Sequence, residues 1–530
     1  MERHDGATLL LQGVTGSGKT EVYLQAIAEA LRQGRQAIVL TPEIALTPQL
    51  VDRFRARFGE IVGVYHHRQT LRQKFDLWRR IQQGEIKIVI GARSALFAPF
   101  PALGVIVVDE EHTSSYKQNV SPRYHARDVA LVRGRARRAA VILGSATPSL
   151  ESYYNARAGK HTLLDLPERA SGVCAMPSIE LIDMARELRK THASPGVLSA
   201  RLKEAIDRRL ERREQSLLLL NRRGYASISV CLECEAVENC PDCSASMTYH
   251  KTQDCLVCHL CGMRRRRAEA CPACGSREME LVGLGTQKVE EAIRDLFPQA
   301  RIIRLDSDSA RGRTAWIDAW RAIEKREYDL ILGTQMVAKG LHLEGLTLVG
   351  IVSADTTLFQ PDFRAGERTF SLLSQAAGRA GRGDEPGEVI IQSYSPGHYA
   401  IQLACRHDYA GLYEQEMRMR RPLRFPPVER LISILVSAEQ PETAMGMAKR
   451  LDSLLRNLAR QERFAGLSVL GPAPCPIERV RGRWRWRLLA RGERPAAMHA
   501  MARAALEEFD QLASRRKVEV TVDVDPQDLL

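Results

Sequence analysis

The sequence contains no apolar run near the roughly 20 residues needed to cross a bilayer. Its apolar stretches, such as Val105–Val108 and Leu217–Leu220, have the length of buried strands. Residues 1–12 lack a basic stretch followed by a long apolar segment, so a secretory signal is not expected there. No internal repeat of fixed period and no low-complexity tract occurs, so a repeat architecture is not expected either. Cysteine is scarce outside one window: of 12 cysteines, only Cys174, Cys405 and Cys475 lie outside Cys231–Cys274. Those three stand alone and read as packing residues. Clustered cysteines in a chain without an export signal argue against a disulfide framework and for metal ligation.

What the sequence does contain is length, an apolar fraction and positive charge. At 530 residues it exceeds one ordinary domain, and three or four are expected. Apolar residues make up 44%, enough for real cores. A net charge of +13 and a pI near 9.3 favour a polyanionic partner, nucleic acid first, although a generally Arg-rich composition gives the same charge.

Strand-like runs alternate with helical stretches from Thr8 to about Gly159, at Leu9–Gln12, Ala37–Leu40, Ile86–Ile90, Val105–Val108 and Val141–Leu143. This is the rhythm of a parallel, doubly wound α/β sheet. Residues 161–194 read as a linker. A helix follows, with Leu198, Leu202, Ile206 and Leu210 along one stripe, then the strand Leu217–Leu220. The cysteines interrupt, and the rhythm resumes near Leu281 with strands at Arg301–Arg304, Leu330–Leu332, Leu348–Val352 and Val389–Gln392. The expected order is a first α/β lobe over 1–160, a second over 195–230 and 277–394, a cysteine insertion over 231–276, and a C-terminal domain over 395–530.

Gly13-Val-Thr-Gly-Ser-Gly-Lys-Thr20 matches the phosphate-binding loop G-x-x-x-x-G-K-[ST] between a strand and a helix, Glu21–Arg32. Gly13, Gly16 and Gly18 let the backbone curl so that N–H groups face phosphates, and the helix N-terminus adds its positive end. Lys19 is expected to reach the β/γ-phosphates of ATP, and the Thr20 hydroxyl to ligate Mg²⁺. Val105–Val108 then carries Asp109, Glu110, Glu111 and His112 at its C-terminal edge, where α/β folds place ligands. Asp109 would hold Mg²⁺ and Glu110 would activate the attacking water. Gly144–Pro148 is a turn that in motors links the ATP site to a nucleic-acid track. Gln375-Ala-Ala-Gly-Arg-Ala-Gly-Arg382 puts Arg379 and Arg382 on what reads as a glycine-spaced helix start in the second lobe. Such arginines act as fingers on the transferring phosphoryl group when the lobes close.

Four CxxC pairs, Cys231/Cys234, Cys240/Cys243, Cys258/Cys261 and Cys271/Cys274, predict two tetrahedral Cys₄ zinc sites. Five residues separate the first two pairs, too few to fold both onto one ion, which leaves nested or crossed pairing. Cys255/Cys258 is a rival third pair. Gly262 after Cys261 parallels Gly275 after Cys274 and favours Cys258/Cys261. Near the end, Arg479, Arg481, Arg483, Arg485 and Arg487 alternate with Val480, Gly482, Trp484, Trp486 and Leu488, which predicts one strand with a basic face and an apolar face.

The combination resembles PriA, the family of primosomal replication-restart helicases of bacteria. The resemblance rests on Gly13–Leu24, Thr41–Gln49, Gly91–Phe97, Asp109–Gln118, Arg123–Val129 and Gly144–Pro148 in the first lobe. It continues through Leu220–Tyr225, Gly333–Gly340 and Gln375–Arg382 in the second, then Arg483–Arg487 and Asp523–Pro526. It implies a superfamily 2 motor of two RecA-like lobes with a two-zinc insertion in lobe 2 and an α+β C-terminal domain. It implies a 3′→5′ DNA helicase that uses ATP and Mg²⁺ to remodel stalled or branched forks. It also implies nested zinc pairing, first pair with fourth and second with third, and an aromatic-rich DNA-sensing loop at Tyr116–Tyr124. Gly333–Gly340 would touch DNA and ATP. Expected partners are forked and single-stranded DNA, primosome proteins and single-strand binding protein, for a cytoplasmic, nucleoid-associated monomer with no membrane contact. Relatives carry DNA-binding domains before the motor. Only 12 residues precede Gly13, so that N-terminal region is expected to be absent, and a fork-binding scaffold with little unwinding is the alternative reading.

Overall fold

The computed structural model describes residues 6–42, 48–66, 69–169, 177–191, 197–220, 228–234, 236–242, 246–250, 254–282, 286–305, 315–333, 345–380, 387–515 and 517–529. Its first sheet holds β1 (Thr8–Gly13), β2 (Gln36–Leu40), β3 (Val62–Tyr65), β4 (Ile88–Gly91), β5 (Leu103–Asp109), β6 (Ala140–Ser145) and β7 (Thr162–Leu166). The order is β3-β4-β2-β5-β6-β1-β7, with every pairing parallel. Helices α1 (Lys19–Arg32), α2 (Pro48–Phe58), α3 (Leu71–Gln82), α4 (Ala126–Arg137) and α5 (Leu150–Arg157) connect the strands. Parallel sheets are covered on both faces, so their strands read as unbroken apolar runs. In β5, Val105 and Val107 pack with Tyr23, Leu24 and Ile27 of α1, while Ile106 and Val108 pack with Ala126 and Ala130 of α4.

The second unit opens with β8 (Ser178–Asp183), α6 (Met184–Thr191), α7 (Ala200–Glu211) and β9 (Gln215–Leu219). The cysteine-rich insertion follows, with β10 (Ile228–Cys231), β11 (Thr248–His250), β12 (Cys255–Val257), β13 (Arg264–Arg265) and β14 (Met279–Val282). The α/β pattern then returns through α8 (Thr286–Leu296), β15 (Ile302–Leu305), α9 (Ala315–Glu324), β16 (Leu330–Gly333), β17 (Leu346–Ile351), α10 (Asp355–Leu358), α11 (Ala365–Ala377) and β18 (Glu388–Ser393). Its sheet is all parallel, ordered β15-β16-β9-β17-β18-β8. The architecture is therefore α/β, with two parallel-sheet lobes and an insertion between the second lobe's strands.

The segment expected as a linker does more than connect. Thr162–Leu166 is an outer strand of the first sheet, paired with β1, and Ser178–Asp183 is an outer strand of the second, paired with β18. Outer strands bury little: four of the five residues of β7 are exposed, which erased the periodicity that marks inner strands.

After β18 come α12 (Tyr399–Cys405) and α13 (Tyr409–Leu423). These were expected to start the C-terminal domain. Instead Ala400, Ile401, Leu412 and Met417 share a core with Phe370, Leu373 and Ala376 of α11. The C-terminal sheet itself is antiparallel, ordered β20-β21-β19-β22, from β19 (Arg430–Ala438), β20 (Ser468–Val480), β21 (Arg483–Gly492) and β22 (Glu519–Val524). Helices α14 (Pro441–Ala459) and α15 (Pro495–Arg515) cover it.

The single strand predicted over Arg479–Leu488 is a hairpin. Arg481 and Gly482 have φ of 50° and 81°, as a two-residue hairpin turn requires, and Val480 pairs with Arg483. The arginines on β21 are also engaged rather than free. Arg483 donates to the carbonyls of Ser437 and Lys517, and the buried Arg487 donates to that of Leu529.

Candidate nucleotide and metal sites

The phosphate loop joins β1 to α1, with Gly16 and Gly18 at φ of 86° and 88°. Side chains at such angles are strained, so glycine is required for the curl. Lys19 turns inward: its Nζ donates to the carbonyls of Gly13 at 2.7 Å and Val14 at 3.4 Å. Thr20 lies in the first turn of α1. Across the sheet, Asp109 ends β5 and accepts from the Tyr23 hydroxyl at 2.9 Å. Burial and the neighbouring Glu110 raise its carboxyl from 3.8 to about 6, and Lys19 opposes the shift. Glu110 has φ of 49°, a conformation costing about 1–3 kcal/mol for a non-glycine residue.

The second lobe reaches this site directly. Gln375 donates from Nε2 to His112 Nε2 at 2.5 Å, so His112 carries its proton on Nδ1. That nitrogen lies 2.7 Å from Ser145 Oγ and 3.6 Å from Glu110 Oε2. Arg379 is half-buried, and desolvation lowers its guanidinium to about 10, while the charge of Glu110 pulls the other way. A side chain at Gly378 would come within 2.6 Å of Thr15 Oγ1, so the lobes touch at the loop itself. The turn after β6 is bound as well: Thr147 Oγ1 meets Ser371 Oγ at 2.9 Å, and Tyr409 donates to the Pro148 carbonyl at 2.8 Å. Arg379 follows the C-terminal end of α11 rather than opening a helix, because Gly378 ends the helix. Arg382 lies outside the described residues, as do most of Gly333–Gly340 and Leu220–Tyr225.

Sequence reasoning gave Glu111 no role. It is fully buried, and accepts from the Ser149 backbone N–H at 2.7 Å, Ser152 Oγ at 2.8 Å and Arg127 at 3.1 Å. Burial still raises its carboxyl above the usual range, with Arg127 opposing. The clasp ties the acidic turn to the starts of α4 and α5. The only sequence sign was a third acid after a buried strand.

The loop after the acids is anchored at both ends. Tyr116 donates to the Asp109 carbonyl at 2.6 Å, and Tyr124 packs edge-on to Phe97 at 5.3 Å. The buried Lys117 reaches the C-terminal sheet, at 2.7 Å from Asp523 and 2.6 Å from the Val524 carbonyl.

In the insertion, antiparallel pairing of β10 with β14 brings the first and fourth cysteine pairs together. The Sγ atoms of Cys231, Cys234, Cys271 and Cys274 lie within 4.8 Å of one another, as do those of Cys240, Cys258 and Cys261. Cys231–Cys274 and Cys234–Cys271 are 3.6 and 3.5 Å apart, close to the roughly 3.8 Å edge of a tetrahedron with Zn–S bonds of about 2.3 Å. Both clusters could hold zinc. Cys243 lies outside the described residues, and Cys255 sits on β12, outside both groups. Gly262 and Gly275 both have positive φ, and their N–H groups donate to the carbonyls of Cys258 and Cys271. The insertion docks on the C-terminal sheet, where Leu256 and Leu260 pack with Leu431 and Leu489, and His259 Nδ1 donates to the Pro474 carbonyl at 3.0 Å.

Comparison with known proteins gives the class first: residues 2–156 match the DEAD/DEAH box helicase family. Residues 240–266 match the PriA DNA helicase Cys-rich region domain, and 421–527 the primosomal protein N C-terminal domain. The replication restart protein PriA of Bacillus subtilis (strain 168) is 43% identical over 526 residues, covering 99% of this chain and 64% of that protein. That of Haemophilus influenzae is 40% identical over 529 residues, covering 99% and 70%. This chain belongs to the PriA family. It spans 64% of the length of the Bacillus relative. Among solved structures, RecG bound to a three-way DNA junction is similar at 17% identity and a TM-score of 0.46, covering 78% of this chain and 44% of that one.

Proposed function

We propose that this chain is an ATP-dependent DNA helicase that translocates 3′→5′ and remodels stalled or branched forks during replication restart. The observation that carries the reading is the contact of the second lobe with the phosphate loop and the acidic turn, where Gly378 abuts Thr15 and Gln375 bonds His112. Arg379 follows Gly378 directly, so charge stabilisation by it in the cleft depends on lobe closure.

The residues present fit a magnesium nucleotide. Asp109 and Glu110 crowd two carboxylates at the end of β5, and each calls for a cation. Gly13, Gly16, Gly18, Lys19 and Thr20 would hold the phosphates, and Thr20 and Asp109 the Mg²⁺, which when bound neutralises phosphate oxygens. Glu110 would orient the attacking water, with His112 and Gln375 holding the acidic turn against the second lobe. Arg379, with Arg382, would stabilise charge on the phosphoryl group. Cys231, Cys234, Cys271 and Cys274 would ligate one Zn²⁺, and Cys240, Cys243, Cys258 and Cys261 a second. Full cysteine shells leave no open position, so both sites are structural. Fork DNA, primosome proteins and single-strand binding protein are the proposed partners.

The test is ATP hydrolysis and strand separation on forked DNA, compared with Lys19→Ala. Wild type is expected to hydrolyse ATP at least tenfold faster than the variant, and equal rates would remove the motor reading. Hydrolysis without strand separation would favour a fork-binding scaffold, and stimulation by RNA above DNA would change the substrate class.

A further inference from the structure

The chain leaving β7 wraps the phosphate loop. The Leu166 carbonyl accepts from Val14 N–H at 3.2 Å, and a side chain at Gly16 would lie 3.9 Å from Cγ of Arg169. Arg169 therefore stands at van der Waals range from the crest of the loop, on the side of β1 away from Asp109 and Glu110. Its Nε and one terminal nitrogen are buried and find no hydrogen-bond acceptor among the described residues. Leaving a guanidinium buried without an acceptor is costly. His407, between α12 and α13, has its imidazole pKa lowered first by burial and then by the charge of Arg169. It offers no anion. Lys19 is meanwhile turned onto two main-chain carbonyls and does not occupy this side.

A half-buried arginine with two buried, unused donor atoms, against a loop whose backbone is shaped for phosphates, is matched by a phosphate oxygen. We infer that Arg169 is a nucleotide-binding residue that grips the α/β-phosphates of ATP and ADP from the connection between the two lobes. The inference rests on the ATPase reading and deepens it. The grip falls on the β7–β8 connection, so nucleotide binding restrains the segment joining the two sheets. Arg379 approaches from the opposite, acidic side. The two arginines then divide the work, Arg169 holding the part of the nucleotide retained after hydrolysis.

The test is equilibrium binding of a fluorescent ADP to wild type, Arg169→Ala and Arg169→Lys, with tripolyphosphate as competitor and steady-state ATP hydrolysis alongside. Loss of a charge-assisted contact predicts ADP binding weakened about 10- to 100-fold in Arg169→Ala, with partial recovery in Arg169→Lys. KM for ATP should rise by a similar factor, with kcat within about threefold, because the contact is made equally before and after phosphoryl transfer. Tripolyphosphate should compete correspondingly less well against the alanine variant. Unchanged ADP affinity in a variant that melts like wild type would overturn the inference and leave the ATPase reading intact. Weakened ADP binding with unchanged tripolyphosphate competition would overturn the phosphate assignment. No nucleotide binding by wild type would overturn both readings.

Discussion

The hydroxyl of Tyr116 donates to the main-chain carbonyl of Asp109 at 2.6 Å, so the loop that follows the acidic turn is joined to the residue proposed to hold Mg²⁺. Tyr116 is buried and Asp109 half-buried, and the bond leaves little play between them. Tyr116→Phe keeps the ring and removes the donor. DNA stimulation of ATP hydrolysis should fall about fivefold, the equivalent of about 1 kcal/mol, with hydrolysis in the absence of DNA nearly unchanged. A titration of ATPase rate against forked DNA checks this, and full stimulation in the variant would sever the proposed link.

Gln375 and His112 form a contact that depends on the lobes meeting. Gln375→Ala and His112→Ala should each lower kcat, with a smaller effect on KM for ATP. The double variant should fall short of the summed effects by about 0.5–3 kcal/mol, as expected for residues in direct contact. Strict additivity in the four-member cycle would show that the bond does not contribute to turnover.

The Glu111–Arg127 clasp has a structural consequence. Arg127→Met leaves the Glu111 carboxylate buried without its cation, and should destabilise the fold by about 3–5 kcal/mol. Pairing it with Glu111→Gln should restore part of the loss, since the fully buried charge is then gone and only the partly exposed Asp128 lacks its Arg127 partner. Denaturant unfolding of both variants measures the difference. Equal stability of Arg127→Met and wild type would contradict the clasp.

The rhythm of inner strands was legible because parallel strands buried on both faces read as apolar runs. Val105–Val108, Leu217–Leu219 and Val389–Gln392 lie on such strands. The phosphate loop and the cysteine pairs were legible because their chemistry tolerates few substitutes. What escaped was whatever depends on distant partners. The outer strands at 162–166 and 178–183 carry a weak apolar signal. The alternation of Arg479–Leu488 suggested one strand because hairpin arms continue the same period through a two-residue turn. Only the fold shows that Arg487 is spent on the Leu529 carbonyl and that Arg169 borders the phosphate loop.

The cysteine clusters give a metal prediction that separates the candidate ligands. Purified protein should carry two zinc ions per chain, and Cys231→Ser and Cys240→Ser should each carry about one. Cys255→Ser should keep both, because Cys255 belongs to neither cluster. Elemental analysis of the purified variants reads this directly. Loss of an ion from Cys255→Ser would restore the rival pairing.

The pairing of Thr162–Leu166 with β1 bears on how the nucleotide-binding unit can be dissected. A fragment cut at residue 160 would bare the backbone groups of Leu9–Gly13 that pair with this strand. They would become a template on which other copies could add a strand, which makes the fragment prone to aggregate. The same cut would take away the Leu166 carbonyl that holds Val14. An autonomous unit therefore has to run past Arg169, which places its boundary by hydrogen bonding rather than by the end of the last helix.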